Sequence, residues 1–177
     1  VQTCALPISG DAGGNTAFAS LGLNAAATPD QAAARIMGDS ATLFAADTIR
    51  YGHQFNDAAL VRAMTVTSAP ALAWLETLGA KLCLRITPVG SEARPRLMAP
   101  CDGTAVGPLL IQVLKAKALQ SQVDLRTQAR ATKLLLSGQK VDGIEVQTPK
   151  GRYQIKAKAV VLATGGFAAY SSLVNQV

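Results

Sequence analysis

The sequence is poor in the residue types on which many catalytic and metal sites depend. Its 177 residues include one histidine and three cysteines, Cys4, Cys83 and Cys101, which form no CxxC pair and have no histidine nearby. This spacing argues against a zinc site and against a disulfide framework. It favours three free thiols in a reducing compartment.

Aromatic residues and long apolar runs are also scarce. Aromatics make up 5% of the chain, and no apolar run approaches the roughly 20 residues needed to cross a bilayer. We therefore predict no membrane span. The formal charge is +6, but the basic residues are scattered and form no stripe interleaved with aromatics. This distribution predicts that nucleic acid is not a partner.

The two ends predict an incomplete protein. Residues 1–9 have no initial methionine and lack the charged start and apolar centre of a signal peptide. They resemble the translation of a sequencing-library adapter, with a genuine linker as the alternative, so we expect an artefactual or disordered leader there. The chain stops at Val177, soon after a glycine pair that normally opens the next element. Residues 10–177 are thus expected to be one incomplete domain.

Helical periodicity dominates residues 40–80. Ser40 and Asp57 are suited to cap two helices, and Gly79 is suited to end the second. Pro70 is expected to break that second helix in two, because proline removes a backbone donor and clashes with the preceding turn.

The second half of the chain changes from helix to strand. Residues 82–100 are predicted to be irregular, and residues 105–120 a helix. Residues 123–156 contain short strands separated by turns, which predicts a three-stranded antiparallel meander. Within residues 159–167, the apolar run Ala159-Val160-Val161-Leu162-Ala163 is typical of a strand buried on both faces of a parallel sheet.

Two glycine-rich segments carry the chemistry. Gly13-Gly14-Asn15-Thr16 and the following Leu21-Gly22-Leu23 allow backbone N–H groups to reach phosphate oxygens or an aromatic ring. Thr164-Gly165-Gly166 follows the apolar run and would lie at the carboxyl edge of a sheet, where open α/β folds bind ligands. Each segment alone is also compatible with an ordinary turn.

In combination and in this order, the segments resemble a known family. The stretches GGNT…LGLNAAAT, FNDAALVRAMTVTSAPALAWLETLGAKL, DGTAVGPLLIQVLKAKA and AKAVVLATGGF are similar to the soluble fumarate reductase/flavocytochrome c family. That family includes urocanate reductases and has distant relatives among succinate dehydrogenase flavoproteins and ketosteroid dehydrogenases. The resemblance implies an α/β fold: a partial FAD-binding, Rossmann-like domain with a helical insertion and the antiparallel meander.

The resemblance also implies cofactor contacts. It places Gly14, Asn15 and Thr16 near the flavin and its pyrophosphate, Leu21, Gly22 and Leu23 beside the isoalloxazine ring, Ala131 at the adenine, and Thr164 and Gly165 under the adenosine half. Leu21 departs from the family, which usually has paired glycines there. Relatives that bind FAD covalently have a histidine at the position of Asn15, so noncovalent FAD is expected.

No catalytic residue is assigned. Nothing upstream of Gly13 supplies the Gly-x-Gly-x-x-Gly turn of such folds, and the resemblance implies that the catalytic arginine and the substrate-binding residues lie beyond the LATGG turn. His53 is expected to cap a helix or face solvent. Arg94 and Arg96 are expected on the surface, with a position on the active-site side of the intact enzyme as the alternative.

The resemblance implies flavin hydride transfer at a carbon–carbon bond next to a carboxylate, with a small fumarate/succinate- or urocanate-like acid as substrate. A redox partner, or an attached haem or FMN domain, is compatible with it, as is either the cytoplasm or the periplasm. One alternative is a ketosteroid- or tricarballylate-type flavin dehydrogenase. Another is a truncated, non-catalytic product without flavin. A nucleotide-binding module without flavin is disfavoured by the long helical insertion.

Overall fold

The computed structural model describes residues 3–86 and 94–166. In chain order the elements are β1 (Cys4–Ala5), a 3₁₀ helix (Gly14–Phe18), β2 (Leu23–Asn24), α1 (Pro29–Ala33), α2 (Ala41–Tyr51), α3 (Ala58–Thr77), β3 (Leu82–Leu84), β4 (Leu97–Pro100), α4 (Val106–Gln120), β5 (Asp124–Leu125), β6 (Arg130–Ser137), β7 (Lys140–Thr148) and β8 (Gly151–Lys156). They divide into a helical unit, Thr16–Ser121, and a strand unit, Val1–Asn15 with Gln122–Val177. The predicted mixture of helices and an antiparallel meander is confirmed.

The helix ends of the helical unit follow local sequence signals. The Ser40 side chain accepts a hydrogen bond from the Leu43 N–H at the start of α2, and Asp57 caps α3 in the same way. Gly79 follows α3 with a φ of 96°, a left-handed conformation that glycine adopts at little cost. The predicted caps are confirmed because each depends on atoms only a few residues apart.

Helix α1 was missed, although its signal is present in the sequence. The Thr28 side chain accepts a hydrogen bond from the Gln31 N–H, and the Gln31 side chain accepts one from the Thr28 N–H. Pro29 occupies the first turn, where its missing donor costs nothing. This reciprocal capping box is short and precedes a helix of only five residues.

The prediction that Pro70 breaks the long helix was wrong. Helix α3 runs through Pro70 without interruption. Proline removes the hydrogen bond to the carbonyl of Val66, but both residues lie on the exposed side of the helix. A carbonyl there can bond to water, which lowers the cost of the missing donor.

Because α3 is continuous, its 20 residues are long and apolar enough to match the dimensions of a membrane span. Core helices pass the same test, so length and composition are weak evidence here. Val61, Thr65, Leu72 and Leu75 are buried on one face of α3, and α3 packs against α2.

The helical unit also contains a small sheet where an irregular segment was predicted. Strands β2, β4 and β3 form an antiparallel sheet in that order, with Leu23 opposite Met98 and Leu84 opposite the same residue. These strands are two to four residues long, too short to show alternation in the sequence. The sheet, α3 and α4 enclose the main core, formed by Ala25, Leu72, Leu75, Ala80, Leu82, Met98, Val106, Leu110 and Val113.

The sheet brings two cysteines together, which corrects the expectation of free thiols. Cys83 lies on β3 and Cys101 directly follows β4, and the two form a disulfide with Cα atoms 5.0 Å apart. The Cys101 N–H also donates to the Lys81 carbonyl, which holds the strand ends in register. Their separation of 18 residues gave no local signal, because only the pairing of β3 with β4 makes them neighbours.

The strand unit contains the predicted meander. Strands β6, β7 and β8 are antiparallel neighbours, with Ala131 opposite Val146 and Val146 opposite Tyr153. One face covers a small core of Ala129, Ile144 and Val146, against which Leu6, Tyr153, Ile155 and Val160 pack. A second, two-stranded sheet pairs β1 with β5 in parallel.

Two segments of the strand unit differ from expectation. Thr3, Ala5, Pro7 and Ser9 accept backbone hydrogen bonds from residues 124–129, so the described part of the leader is paired rather than disordered. The buried strand predicted near residues 159–163 is absent from the described residues: Val161 is 87% exposed and Leu162 65%. A strand needs at least one neighbouring strand to pair with, and no described strand pairs with this segment. Phe167, at the end of the predicted segment, lies outside the described residues.

Candidate functional site

The first glycine-rich segment forms an exposed turn. Gly13 and Gly14 have φ angles of 138° and 51°, and no atom lies within 4 Å of a Cβ placed on Gly14. Asn15 and Thr16 are exposed on the 3₁₀ helix that follows. The turn therefore offers backbone and short polar side chains that a ligand can approach closely.

Within the helical unit, the start of α4 fixes the position of Thr16. A Cβ on Gly107 would overlap the Thr16 carbonyl oxygen, and the Gly107 N–H donates to the Ala19 carbonyl at 2.8 Å. Gly107 is buried, and its lack of a side chain allows this close approach. The predicted helix over residues 105–120 gave no indication of this contact.

The loop Leu21–Leu23 is fixed in a similar way by β4. A Cβ on Gly22 would overlap the Met98 carbonyl oxygen and would lie 3.0 Å from the Leu97 side chain. Leu23 pairs with Met98 in the sheet, whereas Leu21 is 62% exposed. Gly22 is therefore required by packing against β4, a reason independent of any ligand.

A cleft of about 700 Å³ opens beside this loop. Its walls come from the segment around β2 and from α2 and α3: Gly22, Leu23, Asn24, Ala25, Phe44, Asp47, Thr48, Tyr51, Met64, Thr67, Ser68, Ala71, Leu72 and Leu75. The lining is mainly apolar with a few hydroxyl groups and one carboxylate, a composition typical of small-molecule sites.

Two residues that line the cleft, Phe44 and Asp47, contact a buried arginine, Arg96. The Arg96 guanidinium donates to both carboxylate oxygens of Asp39, at 2.7 and 2.9 Å, and to Asp47 at 2.9 Å. It also lies 4.8 Å from the centre of the Phe44 ring. Arg96 is 1% exposed, which corrects the prediction of a surface residue. Its partners lie 57 and 49 positions away in sequence, so nothing local could reveal the cluster.

The cluster keeps its charges. Burial alone would raise the pKa of Asp39, but hydrogen bonds from Arg96 and Gln31 hold that pKa below its ordinary value. Burial alone would lower the pKa of Arg96, and the two carboxylates raise it instead. The Gln31 amide donates to Asp39 and to the Pro95 carbonyl, both at 2.8 Å. The ion pairs therefore join α2 and the segment before it to the start of β4, and the hydrogen bonds of Gln31 add α1.

In the strand unit, the remaining predicted residues are exposed. Ala131 lies on β6 opposite Val146. Thr164 and Gly165 are exposed, Gly165 has a φ of 76°, and a Cβ on it would meet nothing within 4 Å. These positions leave backbone accessible to a ligand, as at the first turn.

The predicted site residues thus fall in both units. Thr16, Leu21, Gly22 and Leu23 belong to the helical unit, where α4 and β4 hold them through backbone contacts. The strand unit contains Gly14, Asn15, Ala131, Thr164 and Gly165. His53 is exposed in the turn after α2. Within residues 3–86 and 94–166, no three His, Cys, Asp or Glu side chains lie close enough together to hold a metal ion.

Glycine turns that leave the backbone open are a common feature of nucleotide-binding domains. The model of the family FAD_binding_2, described as FAD binding domain, matches residues 2–177. The chain belongs to this family, and FAD is its cofactor. The glycine turns, open to close approach, fit such a cofactor.

Similar proteins agree with the resemblance to fumarate reductases. The fumarate reductase (cytochrome) of Shewanella frigidimarina is 39% identical over 158 residues, which are 88% of this chain and 27% of that protein. The open conformation of a flavocytochrome c3 fumarate reductase matches with a TM-score of 0.89 and 32% identity, covering 98% of this chain and 31% of that one. The chain therefore spans between a quarter and a third of these relatives.

A more distant neighbour shows the fold alone. The 3-ketosteroid-delta4-(5alpha)-dehydrogenase from Rhodococcus jostii RHA1 matches with a TM-score of 0.77 at 21% identity, covering 97% of this chain and 42% of that one.

Proposed function

We propose that this chain is part of an FAD-dependent oxidoreductase acting on a carbon–carbon bond next to a carboxylate, in a small fumarate/succinate- or urocanate-like acid. The observation that carries the proposal is the match of the FAD binding domain family over residues 2–177, and the loop at residues 21–23, held by β4 beside the cleft, is where we expect the flavin ring. The similarity to fumarate reductases supports the substrate class. A haem or FMN domain, or a separate redox partner, would supply or remove electrons.

In this proposal the chain's residues bind and orient the cofactor. Gly14, Asn15 and Thr16 contact the flavin and its pyrophosphate, because short side chains and bare backbone can approach phosphate oxygens there. The loop Leu21–Leu23 lies beside the isoalloxazine ring, with Gly22 fixed against β4 and Leu21 free to contact the ring. FAD, when bound, supplies the hydride chemistry.

The strand unit supplies the contacts to the adenosine half. The backbone of Ala131 contacts adenine, and the turn at Thr164 and Gly165 lies under the adenosine. Thr164 and Gly165 are open to solvent, so a ribose or phosphate group would meet no side chain that must move.

The FAD is proposed to be noncovalent. Asn15 has no nucleophilic atom comparable to a histidine nitrogen, and the only histidine, His53, lies in the turn after α2. After acid precipitation of the flavin-loaded protein, we expect the yellow colour in the supernatant. A yellow pellet would show a covalent link and contradict this part of the proposal.

A titration of the purified chain with FAD, followed through the flavin absorption bands, tests the binding itself. Thr16→Val should raise the dissociation constant about 2- to 10-fold, the effect of one lost hydrogen bond to a ligand. Thr42→Val is the matched control, since Thr42 is also exposed but lies on the first turn of α2. Equal affinities for both variants would refute the role of Thr16.

The second candidate is that this chain by itself binds no flavin, since it spans only 27% and 31% of the two fumarate reductases that it matches. A folded, colourless chain that stays colourless at saturating FAD would support this candidate over the first.

A further inference from the structure

The largest of the fully buried side chains in the described residues is a charged one. Arg96 heads the buried residues by volume, and three of its nitrogens donate to two carboxylates. A buried ion pair of this kind is weak evidence for stability, since hydrophobic residues of similar volume often stabilise a core equally well. The cluster is therefore better explained by a role in positioning the backbone than by stability alone.

The backbone of Arg96 connects this cluster to the proposed flavin loop. The Arg96 carbonyl accepts a hydrogen bond from the Ala25 N–H at 3.0 Å. The next two residues of the strand, Leu97 and Met98, pair with Asn24 and Leu23. Any rotation or shift of β4 would consequently move the loop Leu21–Leu23, because Gly22 lies directly against the Met98 carbonyl.

The side chain of Arg96 also restrains β4, through hydrogen bonds to Asp39 and Asp47. Asp39 precedes α2 and receives two parallel hydrogen bonds, a planar arrangement that fixes the orientation of the guanidinium. Asp47, the seventh residue of α2, accepts a hydrogen bond from the third nitrogen and also lines the cleft. The same helix therefore forms a wall of the cleft and sets the position of β4.

We propose that Arg96 is a positioning residue for the flavin-side loop: its ion pairs with Asp39 and Asp47 set β4, and β4 sets Leu21–Leu23. This role rests on the proposed flavin site. Lysine cannot replace arginine here, because one ammonium group lacks the planar fork that serves both carboxylates at once.

Hydrogen exchange of the 177-residue chain tests the inference without relying on flavin. In Asp47→Asn and in Arg96→Lys, the amides of Leu23 and Ala25 should exchange about 10-fold faster or more, consistent with a lost charged hydrogen bond. The amides of α4 should change much less. Asp47→Asn is the milder variant, since it leaves both bonds to Asp39 in place, and it serves if Arg96→Lys fails to fold.

Two controls separate positioning from general destabilisation. Arg50→Gln removes an exposed arginine that also approaches Asp47, at 3.6 Å, and should leave exchange unchanged. Val113→Ala removes core volume in α4 and should speed exchange throughout the helical unit. If Asp47→Asn gives the uniform pattern of Val113→Ala, or no change, the inference is overturned.

Flavin titration then provides the functional readout. Asp47→Asn should raise the FAD dissociation constant about 10-fold, whereas Val113→Ala, at comparable loss of stability, should leave it within about twofold. If the two variants shift it equally, Arg96 acts on stability only. If the wild-type chain binds no FAD, the proposed function fails, while the exchange experiment still decides whether Arg96 positions the loop.

Discussion

The disulfide between Cys83 and Cys101 should contribute strongly to the stability of the helical unit. It joins β3 to the residue that directly follows β4, and its cysteines lie 18 residues apart in sequence. Closing a loop of that length removes chain entropy from the unfolded state worth about 3 kcal/mol. With a urea m-value of about 1–3 kcal/mol/M, reduction should lower the unfolding midpoint by about 1–3 M.

Tryptophan fluorescence provides an assay confined to this unit. Trp74 is the only tryptophan in the chain, lies on α3 and is 52% exposed, so its emission reports unfolding of the helical unit. Urea curves are recorded with and without a dithiol reductant, for the wild-type chain and for a Cys83→Ala/Cys101→Ala double variant. The oxidised wild type should be the most stable of the four samples.

Two controls make the result specific. Cys4→Ser removes the remaining thiol and should keep the full response to reductant, because Cys4 is not part of the disulfide. The double variant should show no response to reductant. If reduction leaves the wild-type midpoint unchanged while mass measurement confirms two new thiols, the entropic reasoning is refuted.

Two further substitutions follow from the structure. Gly22→Ala places a methyl group against the Met98 carbonyl and should destabilise the helical unit by about 1–3 kcal/mol in urea unfolding. Gly10→Ala is the control and should be neutral, because a Cβ on Gly10 would meet nothing within 4 Å. Equal effects of the two substitutions would contradict the packing argument. Because the pKa of Asp39 is lowered on folding, its contribution to stability is present above its unfolded pKa and is lost as the pH falls through the folded value. Asp39→Asn should accordingly be less stable than wild type at neutral pH and converge with it in strong acid; a pH-independent difference would show that the Arg96 ion pair is not the cause.

Local signals predicted much of the helical unit. Ser40, Asp57 and Gly79 end or begin helices through contacts within a few residues, so their roles could be inferred from spacing alone. The meander was equally accessible, because turn residues at 137–140 and 148–151 separate its strands. The prediction at Pro70 failed because solvent exposure, which is a tertiary property, decides what a missing donor costs.

The candidate site was predictable only as a set of residue types. Glycine-rich segments indicated where backbone is open to a ligand, and Gly14 and Gly165 have the left-handed φ angles and free space that such a role needs. Their roles in binding FAD stay predictions. For Gly22 the sequence suggested a ligand, whereas the structure adds a contact with Met98 that requires glycine on its own.

The amino-acid sequence by itself determined the helix caps, the meander and the glycine turns, since these depend on atoms close together along the chain. Tertiary structure alone decided the disulfide, the short sheet of β2, β4 and β3, and the burial of Arg96 between Asp39 and Asp47. The partners in these cases are from 14 residues apart, as for Leu84 and Met98, to 75 residues apart, as for Leu23 and Met98. Pairing over such distances depends on the packing of the whole unit, which no short stretch of sequence encodes.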